Sequence, residues 1–337
     1  MGGGTGGIVR RPAVPGPVRI RRSVLSLPAN DPILVFYGSA IAAMKTKRIS
    51  ESSSWRYQAA IHDYIRADDP LAVPSDLPLP ADSTTFWSTC EHRGWFFLPW
   101  HRMYLHHFEM IVLSEVIKQG GPTDWALPYW NYSASDPNAK LLPEAFRQGS
   151  GTGLFVPGRD PNANAGRPFM ATGAFDPTDI TCLGETQYEG VAQGNPGFGG
   201  LRPPAPRVKN HSGGQGSGRV EQAPHDRVHG ALNGNDFLPD GVTQKPLNQR
   251  GFMGSFTRAP LDPIFWVHHC NIDRLWEVWS HSPGRSNPTT SDWLTAVSFP
   301  FRDVTGRRVD MTPSQVVDTR AAPLSYIYDD ISNPSSP

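Results

Sequence analysis

The sequence predicts a mostly α fold, a four-helix bundle wrapped by long loops. Three observations carry the expectation. Asp31-Pro32 and Asp262-Pro263 each stand directly before an apolar run, and an acidic N-cap followed by a first-turn proline starts a helix well. The 33 glycines and 34 prolines among 337 residues call for long ordered connections around a modest helical centre. Histidines fall inside the apolar stretches, where an imidazole is costly unless something satisfies its nitrogens.

Composition narrows the function. A hydrophobic content of 38% and ten tryptophans suffice for a sizeable core. The 31 basic and 31 acidic residues balance, so nothing marks a nucleic-acid or acidic-membrane surface. No apolar run reaches the length of a membrane span. The basic residues near the N-terminus precede no apolar segment, so no signal peptide and a cytoplasmic location are expected. Three cysteines do not make a disulfide framework.

Residues 1 to about 20 read as a flexible Gly/Pro arm, 21–330 as one domain and 331–337 as a short tail. The first helix runs from Asp31 to about Arg48. Ser52 to Ser54 can cap a second, WRYQAAIHDYIRA (55–67), with His62 on its apolar side. The dense patch CEHRGWFFLPWHRMYLHHFE (90–109) places His92 in a short loop and His101 at the start of a helix after Pro99. That helix continues through Val116, and its His106 and His107 read as exposed residues or as support for a site. LPYWNYSASDP (127–137) reads as a buried aromatic turn that closes the unit. Residues 133 to about 219 show no helical period, and 207–220 is the most linker-like piece. His211 in that loop and His281 after the last helix read as solvent-exposed.

VEQAPHDRVHGAL (220–232) supplies another helical region. His225 and His229 are four apart, so on a helix they share a face and can bind one ion together. The zinc-peptidase pattern needs Glu directly after the first histidine, where this chain has Asp226. In the last helix, LDPIFWVHHCNIDRLW (261–276), a broad apolar face surrounds His268 and His269. His62, His92, His101, His225, His229 and His269 are thus six imidazoles from three regions, with no competing cysteine cluster or carboxylate pair. All-imidazole ligation suits copper, zinc, iron or nickel rather than magnesium or calcium. Facing helices of a bundle are a known way to bring such ligands together.

The motifs CEHRGWFFLPWHR, LPYWNY, PHDRVH and DPIFWVHHCNIDRLW, in this order, resemble those of the tyrosinase, catechol oxidase and haemocyanin group of binuclear copper proteins, from about Arg21 to Tyr328. The resemblance implies two copper ions, one held by His62, His92 and His101 and the other by His225, His229 and His269. The family uses the second member of the double histidine, which leaves His268 as a supporting residue. Cys90, two before His92, matches members that carry a cysteine–histidine thioether. Phe256, thirteen before His269, corresponds to a bulky gate residue above the second copper in plant-type enzymes. Glu221, four before His225, matches an acidic residue that holds an ordered water. Asp226 departs from the Asn of many efficient tyrosinases, which helps orient the water that takes a phenol's proton; Asp adds charge and loses the amide donor. Tyr326-Ile327-Tyr328 resembles the signature that ends the catalytic domain, and with nine residues after it the usual shielding domain is not expected here. Cys182 and Cys270 are expected to be free thiols.

The activity the resemblance implies is oxidation of o-diphenols to o-quinones with dioxygen, the metal pair carrying the chemistry. Monophenol hydroxylation is expected to be weak, and the phenol ring is expected to stack on His269. The implied partners are a phenolic small molecule and dioxygen, with no nucleic acid and no membrane; a copper-loading helper protein is left open. An oxygen-binding haemocyanin-like protein and an o-aminophenol oxidase are the alternative readings. Elemental analysis separates all of these from a zinc hydrolase.

Overall fold

Local signals start the helices where the sequence places them. Asp31 Oδ1 accepts the Ile33 N–H at 2.8 Å and opens α1, Pro32–Lys45. Ser54 Oγ accepts the Tyr57 N–H at 3.1 Å and opens α2, Trp55–His62. The computed structural model describes residues 18–147, 149–170, 176–204 and 216–333. Residues 1–17 of the expected arm, and His211, lie outside the described residues. Six further α-helices follow: α3 Ser83–Phe86, α4 Phe97–Lys118, α5 Pro161–Asn164, α6 Arg227–Leu232, α7 Pro263–Ser280 and α8 Ser291–Leu294. Strand β1, Arg19–Arg21, begins within the stretch expected to be arm and pairs in parallel with β4, Tyr326–Tyr328. Strands β2, Phe299–Arg302, and β3, Arg308–Met311, form an antiparallel hairpin. Among the described residues no helix is long and apolar enough to cross a membrane.

Two helical expectations need correction. The second helix stops at His62 instead of continuing to residue 67. The Ala60 and Ile61 carbonyls accept from the Ser88 and Thr89 N–H groups at 3.0 Å each, so the next turn is replaced by a tertiary contact and Asp63 is extended. Region 220–232 is likewise not one helix. Ala223 is extended (φ −152°, ψ 129°), because the residue before a proline is pushed out of the helical region. A wide turn, Glu221–Asp226, therefore carries His225 ahead of α6, and His229 lies within α6.

The core lies where α1, α2, α4 and α7 meet. Trp266 of α7 stacks on Phe108 of α4 with centroids 3.4 Å apart, and Tyr37 Oη of α1 donates to the Pro263 carbonyl at 2.9 Å. The start of α7 is anchored twice by a fully buried Asp262, which accepts the Ile264 N–H and two bonds from the equally buried Arg159. Further along, Asp273 is the hub of a buried ionic network. It accepts from Arg102 of α4, Arg21 of β1 and the hydroxyls of Tyr326 and Tyr328. The Tyr-x-Tyr strand thus locks both ends of the described chain onto α7. The aromatic turn closes the core as expected: Leu127, Tyr129, Trp130 and Tyr132 are fully buried.

His106 and His107 are buried rather than exposed. The His107 ring lies nearly parallel to Phe301, 5.0 Å away, on a flank of α4 covered by the β2–β3 hairpin. Burial pushes both imidazoles down to about 3, with the charges of Arg19 and Arg21 adding to the effect at His106, so both rings are neutral. His281 is exposed, as the sequence suggests.

Candidate metal centre

The six histidines singled out by spacing come together as two adjoining clusters. His62 ends α2, His92 sits in the loop before α4, and His101 lies in the second turn of α4. Their ring centroids are 5.1 to 5.9 Å apart. His225 precedes α6, His229 is on α6, and His268 and His269 are on α7. The first group with Cys90, and the second with both α7 histidines, each place their ligand atoms within 4.8 Å of one another. The clusters touch: His101 and His269 stack at 4.5 Å, and His92 lies 5.6 Å from His225.

Hydrogen bonds to acceptor-only groups set the tautomers. His62, His101 and His229 each donate from Nδ1–H to a backbone carbonyl, those of Phe256, Phe97 and Met253, at 2.8, 2.8 and 2.7 Å. His225 donates from Nδ1–H to Asp226 Oδ1 at 2.8 Å. In each ring Nε2 is left as the lone-pair nitrogen, the form a metal ligand must take. His225 Nε2 is buried and has no hydrogen-bond partner. His229 Nε2 and His269 Nε2 are 3.3 Å apart. Two imidazole nitrogens about 2.0–2.1 Å from one tetrahedral ion would sit about 3.3 Å apart. Burial, with the neighbouring imidazoles adding to it, pushes His229 down to about 3 and His268 and His269 well below the ordinary value. These rings are neutral donors, and the donor set fits a pair of transition-metal ions.

A cleft of about 220 Å³ leads to the centre and is lined by His62, His92, His225 and His229. His101 and His269 are buried and do not line it. The phenol-stacking role expected of His269 does not fit, since its ring packs on His101 and on Phe265, the latter 4.2 Å away. Phe265 is a contact that helical spacing could have revealed, being four residues before His269. His268 lies against His225 and Tyr132, with both ring nitrogens buried and without hydrogen-bond partners.

The remaining residues differ in part from expectation. Phe256 packs on His62 and His92, so it covers the first cluster rather than the second. The reason is its carbonyl, which accepts the His62 Nδ1–H and holds the residue beside the end of α2. Glu221 is buried, and its two oxygens accept the Arg93 N–H at 2.8 and 3.1 Å. It thereby holds Arg93 in a left-handed conformation (φ 57°) directly after His92, a role with no local sequence signal. Burial, then the charge of Asp226, pushes the Glu221 carboxyl up to about 8. Cys90 Sγ lies 3.2 Å from His92 Nδ1 and 3.4 Å from His101 Nε2, and burial pushes its thiol up. Cys182 and Cys270 are buried free thiols.

Comparison with known proteins agrees with this geometry. The family described as the common central domain of tyrosinase matches residues 52–199 and 187–282. A tyrosinase of Hahella sp. (strain CCB-MM4) is 36% identical over 333 residues, covering 92% of this chain and 63% of the relative. Aureusidin synthase of Antirrhinum majus is 28% identical over 332 residues, covering 94% and 52%. Latent apple tyrosinase superposes with a TM-score of 0.69 at 25% identity, over 96% of this chain and 64% of the other. The chain thus spans less than two thirds of the length of each of these relatives. With the motifs, the helical scaffold and two imidazole clusters that fit a binuclear centre all in register, the chain belongs to the tyrosinase family, whose members carry two copper ions.

Proposed function

We propose that this chain is a copper-dependent phenol oxidase that converts o-diphenols to o-quinones with dioxygen. His62, His92 and His101 would hold one copper, and His225, His229 and His269 the other. The observation that carries the reading is the set of tautomers at the clusters, with Nδ1–H groups turned outward to fixed acceptors and Nε2 lone pairs turned inward. Bound copper supplies the redox chemistry, accepting electrons from the diphenol and delivering them to dioxygen.

The chain's own residues shape what enters. Phe256 stands over His62 and His92 and limits how deeply a ring passes the cleft on that side. Asp226 accepts from His225 and so orients that ring, but it offers no donor to aim a water, and its charge disfavours a nearby phenolate. A monophenol has a pKa of about 10, so it needs a positioned base before it can react at neutral pH. Glu221 accepts the Arg93 N–H and also lines the cleft, where it can hold a water, but Asp226 adds no donor to aim it. Diphenol oxidation should therefore dominate over monophenol hydroxylation. The Hahella and Antirrhinum relatives support a phenolic substrate class.

Copper content measured alongside oxygen uptake with catechol and with tyrosine tests the reading. Two coppers per chain, rapid uptake with catechol and slow uptake with tyrosine are expected. Zinc in place of copper, or reversible dioxygen binding without catechol oxidation, would overturn it.

A further inference from the structure

Helix α4 carries a second set of metal donors, away from the two clusters. His106 and His107 follow His101 by five and six residues, which turns them roughly 140° and 240° about the helix axis. Met110 is four after His106 and three after His107, so it shares their flank. These three residues, with Met311 of β3 and Asp303, line a cavity of about 790 Å³. His107 Nε2 is 3.1 Å from Met311 Sδ, and His106 Nδ1 is buried without a hydrogen-bond partner.

We propose that His107 and Met311, with His106 and Met110 at the same cavity, form a third metal site that takes a soft monovalent cation, the cuprous ion. Thioether sulfur and imidazole are the donors that select cuprous ion over hard cations. A thioether is only a weak hydrogen-bond acceptor, which makes it a poor sole partner for a buried imidazole. An imidazole nitrogen at about 2.0–2.1 Å and a sulfur at about 2.3 Å from one tetrahedral ion lie about 3.5 Å apart. The observed contact reaches that separation by opening a few tenths of an ångström. Asp303 and Lys118 both line the cavity, so its charges balance and the thioether and imidazole donors carry the selectivity. The site shares no ligand with the six-histidine centre and does not depend on the activity proposed for it.

Methionine-methyl NMR during titration with silver(I), a diamagnetic ion of the same soft character, tests the proposal on the whole chain. One equivalent should shift the Met311 and Met110 methyl signals and leave that of Met44, buried on α1, in place. His107→Phe should abolish the shift. Copper counting gives a second readout. After exposure to excess cuprous ion and desalting, the wild type should retain one more copper per chain than Met311→Leu, whatever the six histidines hold. A Met311 methyl signal unmoved by silver, or equal copper counts in the two folded proteins, would overturn the proposal.

Discussion

Replacing Asp262 by Ala tests how the metal-bearing helix is held. The carboxylate makes three bonds from a fully buried position: one from the Ile264 N–H at 3.0 Å, and two from Arg159 at 2.6 and 2.8 Å. Losing a helix N-cap costs about 1 kcal/mol. The larger loss is electrostatic, since the Arg159 guanidinium would stay buried with only the Phe146 and Leu154 carbonyls as partners. Breaking one side of a buried pair costs about 3–5 kcal/mol. Both effects flow from one carboxylate, so the combined cost should be about 4–5 kcal/mol rather than a strict sum. That is a large part of the roughly 5–15 kcal/mol of a typical domain. The assay is denaturant unfolding of copper-free protein, comparing midpoints at a common slope. Arg159→Leu placed on Asp262→Ala should recover part of the loss by removing the stranded charge. A cost for Asp262→Ala below about 1 kcal/mol, with no recovery in the double variant, would refute the view that this pair anchors α7.

Other outcomes follow from the site and its supports. Changing any of His62, His92, His101, His225, His229 or His269 to Ala should cost at least one copper per chain by elemental analysis, while His281→Ala should keep both; loss with His268→Ala but not with His269→Ala would show that the other α7 histidine is the ligand. Asp226→Asn keeps an acceptor for His225 and adds an amide donor, so the initial rate on tyramine relative to its catechol should rise severalfold; an unchanged ratio would remove this residue as its determinant. The proximity of Cys90 Sγ to His92 predicts a thioether, read by intact mass of copper-loaded protein as a loss of two hydrogens that Cys90→Ser abolishes; a freely alkylated, full-mass peptide would count against it. Burial pushes the Asp273 carboxyl up, but Arg102, Arg21 and the hydroxyls of Tyr326 and Tyr328 outweigh it and hold it below its ordinary value. Its stabilisation should be complete above the unfolded value of about 3.9 and disappear as pH falls through the lower folded value, so Asp273→Asn should flatten acid unfolding in that range.

The sequence alone determined the features whose causes are local. Asp31, Ser54 and Asp262 cap helices through bonds reaching two or three residues ahead, and such caps can be read from a short window. The histidines were legible for a related reason, because few other residue types inside apolar helices demand a partner so strongly. Tertiary structure decided the rest through contacts between distant segments. The end of α2 depends on Ser88 and Thr89, the placement of Phe256 on a bond to His62 across 194 residues, and the service of Glu221 to Arg93 on one across 128. The burial of His107 against Met311 spans 204 residues. No local periodicity encodes such pairings, since a backbone carbonyl or a thioether becomes a partner only once packing has brought it within hydrogen-bond distance.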